Sequence, residues 1–223
     1  MCFENKDFRD LLTNAEFTGD LAMVAVDEAH CISQWGGEFR PAYGRLSQLR
    51  SFVPTHIPFL ATSATLPPAA LQDVRAGLLL NPKSTYVVNL GNDRHNITMS
   101  VKTIKSRQDF DAVLPLLTRN GCPPALATDL LKTCIFVNSV PLSRELGRFI
   151  QNYVPAAFRS AIDMMFSLRT ARAKRRVMKE FKQGDVRVLV ATEAAGMGAD
   201  IPDIEQVLQF AVPSSLSRWR QLL

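Results

Sequence analysis

Short apolar runs alternate along this chain with segments whose apolar positions recur at helical spacing, the pattern of a parallel sheet whose strands are joined through helices. The first half predicts a helix over 3–14, a strand over 21–26, a helix over 43–52 and a strand over 57–62. The run at 21–26, Leu-Ala-Met-Val-Ala-Val, is continuously apolar, as a strand covered on both faces would be. Ser63-Ala64-Thr65 follows the second strand, and then a helix through 79 whose start Pro67 or Pro68 would set. A third strand is expected over 85–90. The polar, turn-forming stretch 91–96 reads as a linker. Beyond it the pattern predicts a strand over 97–104, a helix over 108–117, a surface loop over 119–128, a strand over 133–137 and a helix over 142–153. A strongly basic helix over 168–183 would dock through Leu168, Ala171, Val177, Met178 and Phe181, and strands at 186–191 and 206–210 complete the set.

At 223 residues and 47% hydrophobic content the chain can bury one large core or two modest ones. Charge argues for two. Residues 1–95 carry 8 Lys/Arg against 10 Asp/Glu, whereas residues 96–223 carry 18 against 11, so the net +5 belongs to the second half, where a polyanionic partner would bind. The expected fold class is α/β, with lobes at 1–93 and 94–223. The four cysteines, Cys2, Cys31, Cys122 and Cys134, lack CxxC spacing, which indicates neither a zinc site nor a disulfide framework and suits a reducing compartment. No stretch is long and apolar enough for a membrane span, and the amino terminus lacks the apolar core of a secretory signal. An intracellular protein is expected, nuclear if its source is eukaryotic.

The run at 21–26 ends in Asp27-Glu28, which would place two carboxylates at the carboxyl edge of the sheet, where open α/β folds bind ligands. Asp27 can hold Mg2+, a hard cation that takes oxygen ligands and serves phosphates. Glu28 can then polarise an attacking water. A plain strand entering a solvated turn gives the same two acids. The continuation differs from generic turn chemistry: Trp35, Phe39 and Tyr43 recur at four-residue spacing, and Arg40 stands beside Phe39. Trp35 and Phe39 can stack on bases while Arg40 takes a phosphate, with Tyr43 assigned to core packing.

The whole segment, VDEAHCISQWGGEFRPAY at 26–43, resembles motif II and the aromatic-rich loop of RecQ-family DNA helicases, members of helicase superfamily two. The resemblance extends to Ser63-Ala64-Thr65 (motif III), to the strand ending at Asn138-Ser139 (motif IV), to the run from Val188 to Pro202 (motif V) and to the run into motif VI at Gln221. It implies two RecA-like lobes and the use of ATP and Mg2+, with translocation on single-stranded DNA from three-prime to five-prime and unwinding of forked duplexes in repair or recombination. It further implies catalytic roles for Asp27, Glu28 and His30, nucleotide contacts from Asp27, Glu28, Gln34 and Asp200, and the Mg2+ site at Asp27. Nucleic acid would be contacted by Trp35, Phe39, Arg40, Asn138, Ser139 and Thr192. Ser63, Ala64, Thr65, Gly196, Gly198 and Gln221 would couple the nucleotide to movement. A helix cap is an alternative role for the Ser63/Thr65 hydroxyls, strand-to-turn chemistry for Asn138-Ser139, and a solvated face for the basic helix. Two rivals to the DNA helicase reading stand beside it: a nucleic-acid-binding module without catalysis, and an RNA helicase of the same superfamily.

The chain departs from the family at Gly37, where His is usual, and at Phe158-Arg159-Ser160, where Tyr-His-Ala/Ser is usual. No GxxxxGK[ST] run, whose amides cradle phosphate, occurs in the 223 residues, and the arginines that end motif VI do not occur after Gln221. The expectation is a partial helicase core with both lobes incomplete, which hydrolyses almost no ATP by itself.

Overall fold

The structure is a computed structural model that describes residues 5–34, 45–91, 95–192 and 201–212. Its contacts divide the chain into two units, Met1–Ile97 and Thr98–Leu223.

In the first unit, α1 (Lys6–Thr13) begins where the Asn5 side chain accepts the Phe8 N–H. The elements α2 (Ala15–Gly19), β1 (Val24–Val26), α3 (Cys31–Gln34), α4 (Leu49–Phe52), β2 (Phe59–Ala61) and α5 (Pro68–Gly77) follow. Pro68 stands at the first helical position of α5, where its missing N–H costs nothing. β1 and β2 pair in parallel, Val24 with Phe59 through Val26 with Ala61. The expectation that 21–26 is covered on both faces fails. The register partners Ala25 and Leu60 are exposed, while Val26 is buried with Ala29, Val74 and Leu78. Successive side chains of a strand face opposite sides, and here one face packs on Val74 and Leu78 while the other is exposed.

The second unit is thicker. Its sheet is wholly parallel in the order β4-β5-β3-β6, built from β3 (Thr133–Val137), β4 (Ile162–Met165), β5 (Val188–Thr192) and β6 (Gln206–Phe210). Every residue of β3 is buried. Helix α6 (Val140–Tyr153) covers one face with Leu146 and Ile150, against Ile135, Val137, Ile162, Val188 and Val190. Helix α7 (Ala171–Gln183) covers the other with Val177 and Phe181, against Cys134, Phe136, Met165 and Leu189. Thr170 caps α7 and Gly184, at φ +87, ends it in the left-handed conformation. Leu168 and Ala171, expected to dock on the sheet, are exposed; the docking stripe is Val177, Phe181 and the half-buried Met178.

Three further expectations are corrected. The stretches 85–90 and 97–104 form no strand, and Tyr86, Leu90 and Val101 are at least 90% exposed. Their composition suits a strand, but a strand needs a neighbour, and none pairs with them among the described residues. The helix expected over 108–117 is instead two short 3-10 turns, Phe110–Ala112 and Leu114–Leu116, because Pro115 lacks the N–H an α-helix would use there. Strand β4 was not expected at all. Among the described residues no helix is long and apolar enough to cross a membrane.

Candidate active site

β1 and β2 stop side by side, and the acids lie just past their ends. Thr62 Oγ1 donates to Asp27 Oδ1 at 2.7 Å, and the Glu28 N–H donates to the same oxygen at 2.8 Å. Backbone bonds close the corner: the Thr62 N–H donates to the Val26 carbonyl (3.0 Å) and the Ala29 N–H to the Thr62 carbonyl (2.9 Å). Asp27 itself is exposed. The two donors, Thr62 foremost, hold its carboxyl below the ordinary 3.8, so it is an anion at neutral pH. Both donors occupy Oδ1. An anionic oxygen ligand with a second oxygen directed away from these bonds fits Mg2+, which binds through one or two carboxylates together with phosphates and water. No cluster of three metal-ligating side chains occurs among the described residues, and such an ion needs none.

Glu28 adopts φ +51, in the left-handed region. A side chain there costs on the order of 1–3 kcal/mol and persists where surrounding contacts impose it. Those contacts are visible: the Glu28 N–H is on Asp27, and the Glu28 carbonyl accepts the Cys31 N–H at 2.9 Å, which opens α3. The half-exposed Glu28 carboxylate lies with Oε2 3.2 Å from His30 Nδ1.

His30 is 3% exposed, and its Nδ1 is 3.0 Å from Ser63 Oγ. The Ser63 hydroxyl donates to the Thr65 carbonyl at 3.0 Å, so toward the ring its oxygen accepts, as the Glu28 carboxylate must. Nδ1 therefore carries the proton. Nε2 is left as the acceptor facing the Cys31 thiol at 3.6 Å. Burial pushes the His30 pKa below 6.5, against the opposing pull of Glu28 and then Asp27, and the imidazole is neutral at pH 7. The outcome is a polar chain, Glu28 to His30 to Ser63 to Thr65, that ties the acid after β1 to the segment after β2. Ser63 and Thr65 do not cap α5, whose N-cap residue is Pro67 with no side-chain bond. Ala64 is exposed between them. Thr62 is the residue that sequence reasoning missed, its only signal being a hydroxyl at a strand end. Ser33 Oγ donates to Asp73 Oδ2 at 2.5 Å and fixes α3 to α5.

In the second unit, the register places Val137 beside Thr192, so Asn138, Ser139 and Thr192 share the carboxyl edge of that sheet. Ser139 is the N-cap of α6, its Oγ accepting the Leu142 N–H at 3.3 Å. The Asn138 amide donates to the Val212 carbonyl at 2.7 Å, and its Oδ1 accepts from Gln209 at 3.1 Å, which ties the exit of β3 to the exit of β6. Phe158-Arg159-Ser160 lies in the 3-10 turn Ala156–Ala161, where Arg159 Nε donates back to the Gln151 carbonyl at 3.1 Å. Lys132 was also missed. It is wholly buried before β3, with Nζ 2.6 Å and 2.7 Å from the two carboxylate oxygens of Asp203. The side chain of Gln34, with Trp35, Phe39, Arg40, Gly196, Gly198, Asp200 and Gln221, lies outside the described residues.

Comparison with known proteins covers both units. The sequence model for the DEAD/DEAH box helicases matches residues 4–74, and that for the helicase conserved C-terminal domain matches residues 126–223. ATP-dependent DNA helicase Q4 of Homo sapiens is 31% identical over 214 residues, spanning 90% of this chain and 17% of that protein. ATP-dependent DNA helicase RecQ of Pasteurella multocida is 31% identical over 201 residues, spanning 90% of this chain and 29% of that protein. The chain thus spans less than a third of these relatives. In fold it is similar to S. cerevisiae Dbp5 bound to RNA and ADP BeF3, at TM-score 0.62 and 17% identity over 90% of this chain and 48% of that one. It is also similar to Mss116p bound to ssRNA and AMP-PNP, at TM-score 0.64 and 19% identity over 96% and 42%. These likenesses show two RecA-like lobes with parallel sheets.

Proposed function

We propose that this chain, whose residues 4–74 match the DEAD/DEAH box helicases and 126–223 the helicase conserved C-terminal domain, supplies part of the motor of an ATP-driven DNA helicase of the RecQ type. That motor moves along single-stranded DNA from three-prime to five-prime and opens forked duplexes in repair or recombination. The observation that carries this reading is the chain from Glu28 through His30 and Ser63 to Thr65, at the strand ends where the sequence places an acid pair.

Bound Mg2+ supplies charge neutralisation at the phosphates of ATP. Asp27 would hold the ion. Glu28, positioned by the neutral His30, orients the attacking water and accepts its proton. Gln34 and Asp200 add nucleotide contacts. Trp35 and Phe39 stack on bases, Arg40, Asn138, Ser139 and Thr192 take the backbone, and Ser63, Ala64, Thr65, Gly196, Gly198 and Gln221 couple the two events. The lobes are 1–93 and 94–223. Since no phosphate-cradling GxxxxGK[ST] run occurs among these residues, a polypeptide of the 223 residues hydrolyses almost no ATP by itself.

Fluorescence anisotropy with single-stranded DNA and RNA of one sequence tests the substrate. Tighter binding of DNA is expected. Equal or tighter binding of RNA would move the chain to the RNA helicases of the same superfamily, a reading favoured by the RNA in the similar fold of Dbp5.

A further inference from the structure

Seven basic side chains stand between Arg169 and Lys182, and the structure divides them into two groups. Arg169 pairs with Asp163 at 2.7 Å, Lys174 Nζ donates to the Ser167 carbonyl at 2.8 Å, and Arg176 lies 3.7 Å from Asp163 and 3.9 Å from Glu180. These three are satisfied by the protein. The other four, Arg172, Arg175, Lys179 and Lys182, are exposed, and none has an ion pair or side-chain hydrogen bond among the described residues. Their spacing of three, four and three residues puts them in one line along α7, opposite the buried Val177 and Phe181. Glu180, the one acid on the helix, is off that line beside Arg176.

The stripe has a direction. Helix α7 starts after β4, at the carboxyl edge that carries Asn138, Ser139 and Thr192. It ends before β5 at the opposite edge, where the Lys182 carbonyl accepts from the buried Lys132. Ten residues of helix separate Arg172 from Lys182, about 15 Å, so the four cations can follow successive phosphates of one strand. Like charges three and four residues apart repel, and Arg172 in the first turn also opposes the helix dipole. A line of phosphates reverses both effects.

We infer that Arg172, Arg175, Lys179 and Lys182 form a second contact for the phosphate backbone of single-stranded DNA, a track leading away from the carboxyl edge along the outer face of α7. The inference rests on the nucleic-acid reading above. It adds a site outside the strand-end residues, with positioning and no base selectivity.

The test is the salt dependence of single-stranded DNA affinity for the 223-residue chain. Wild type is compared with the R172Q/R175Q/K179Q/K182Q variant and with a control that removes equal charge elsewhere on the second unit, K102Q/K105Q/R107Q/R148Q. All eight positions are exposed, and thermal unfolding checks that the fold persists. If three to four phosphates are held, the slope of log K against log salt becomes shallower by about 2 to 3 in the stripe variant and stays near wild type in the control. Equal loss in both variants, or none in the stripe variant, would overturn the inference. A wild-type chain that fails to bind DNA at all would overturn the nucleic-acid reading as well. Loss of polyglutamate binding with the DNA slope unchanged would assign the stripe to an acidic protein and reject it as a DNA track.

Discussion

The carboxyl edges of the two sheets are held in different ways. In the second unit, the central five-residue strands β3 and β5 are buried between α6 and α7, and the edge residues Asn138 and Ser139 sit on a thick apolar base. In the first, strands of three residues leave Ala25 and Leu60 exposed, and the edge is fixed by polar bonds from Thr62 to Asp27 and from Ser63 to His30. At the edge that carries the acids, hydroxyl groups act directly on the carboxylate and the imidazole. Hydrogen bonds prescribe where a carboxylate points, which apolar packing cannot do.

That contrast is breakable by substitution. Phe181→Ala removes the largest wholly buried apolar side chain among the described residues of the second unit, and a loss of about 3–5 kcal/mol in urea unfolding is expected. A loss under 1 kcal/mol would show that the sheet does not rest on α7. Ser63→Ala leaves His30 Nδ1 without its hydroxyl partner, and a smaller cost of about 1–3 kcal/mol is expected. An unchanged urea midpoint for the first unit would mean that Glu28 alone suffices for the imidazole. Ser139→Ala should cost about 1 kcal/mol through the lost cap of α6. The substitution Ser139→Asp, which keeps an acceptor, should restore it, and failure to do so would point to a role beyond capping.

Smallest is the pH response. The His30 pKa in the folded chain is below its ordinary 6.5, so the unfolded chain binds the proton more readily. Stability of the first unit is then fully present above pH 6.5 and falls as pH drops through that value toward the lower folded pKa. His30→Gln should flatten this decline in a series of urea midpoints. A decline of the same steepness in the variant would assign it to other groups.

Legibility in the sequence followed the same division. The placement of the acids, His30 and Ser63 at the strand ends was readable from residue type and position after apolar runs, whereas the bond from Thr62 was not, since one more hydroxyl beside Ser63 carries no separate signal. Strands β3 and β5 were readable from apolar runs long enough to be buried. The segments 85–90 and 97–104 have strand-like composition but no partner strand among the described residues, a property of neighbours that no local pattern contains. β4 escaped because Ile-Asp-Met-Met, with its buried Ile162 and Met165, is too short and mixed to stand out. Lys132 escaped because lysine reads as surface, and its burial becomes intelligible only once Asp203 is brought beside it from 71 residues away.

If Asp27 and Glu28 serve hydrolysis only together with a phosphate cradle that the 223 residues lack, then in single-turnover ATP hydrolysis with Mg2+ and saturating single-stranded DNA neither the wild-type chain nor Glu28→Gln exceeds the protein-free rate. Hydrolysis by the wild type that Glu28→Gln abolishes would contradict this, because the acids would then be working with no cradle of the expected sequence.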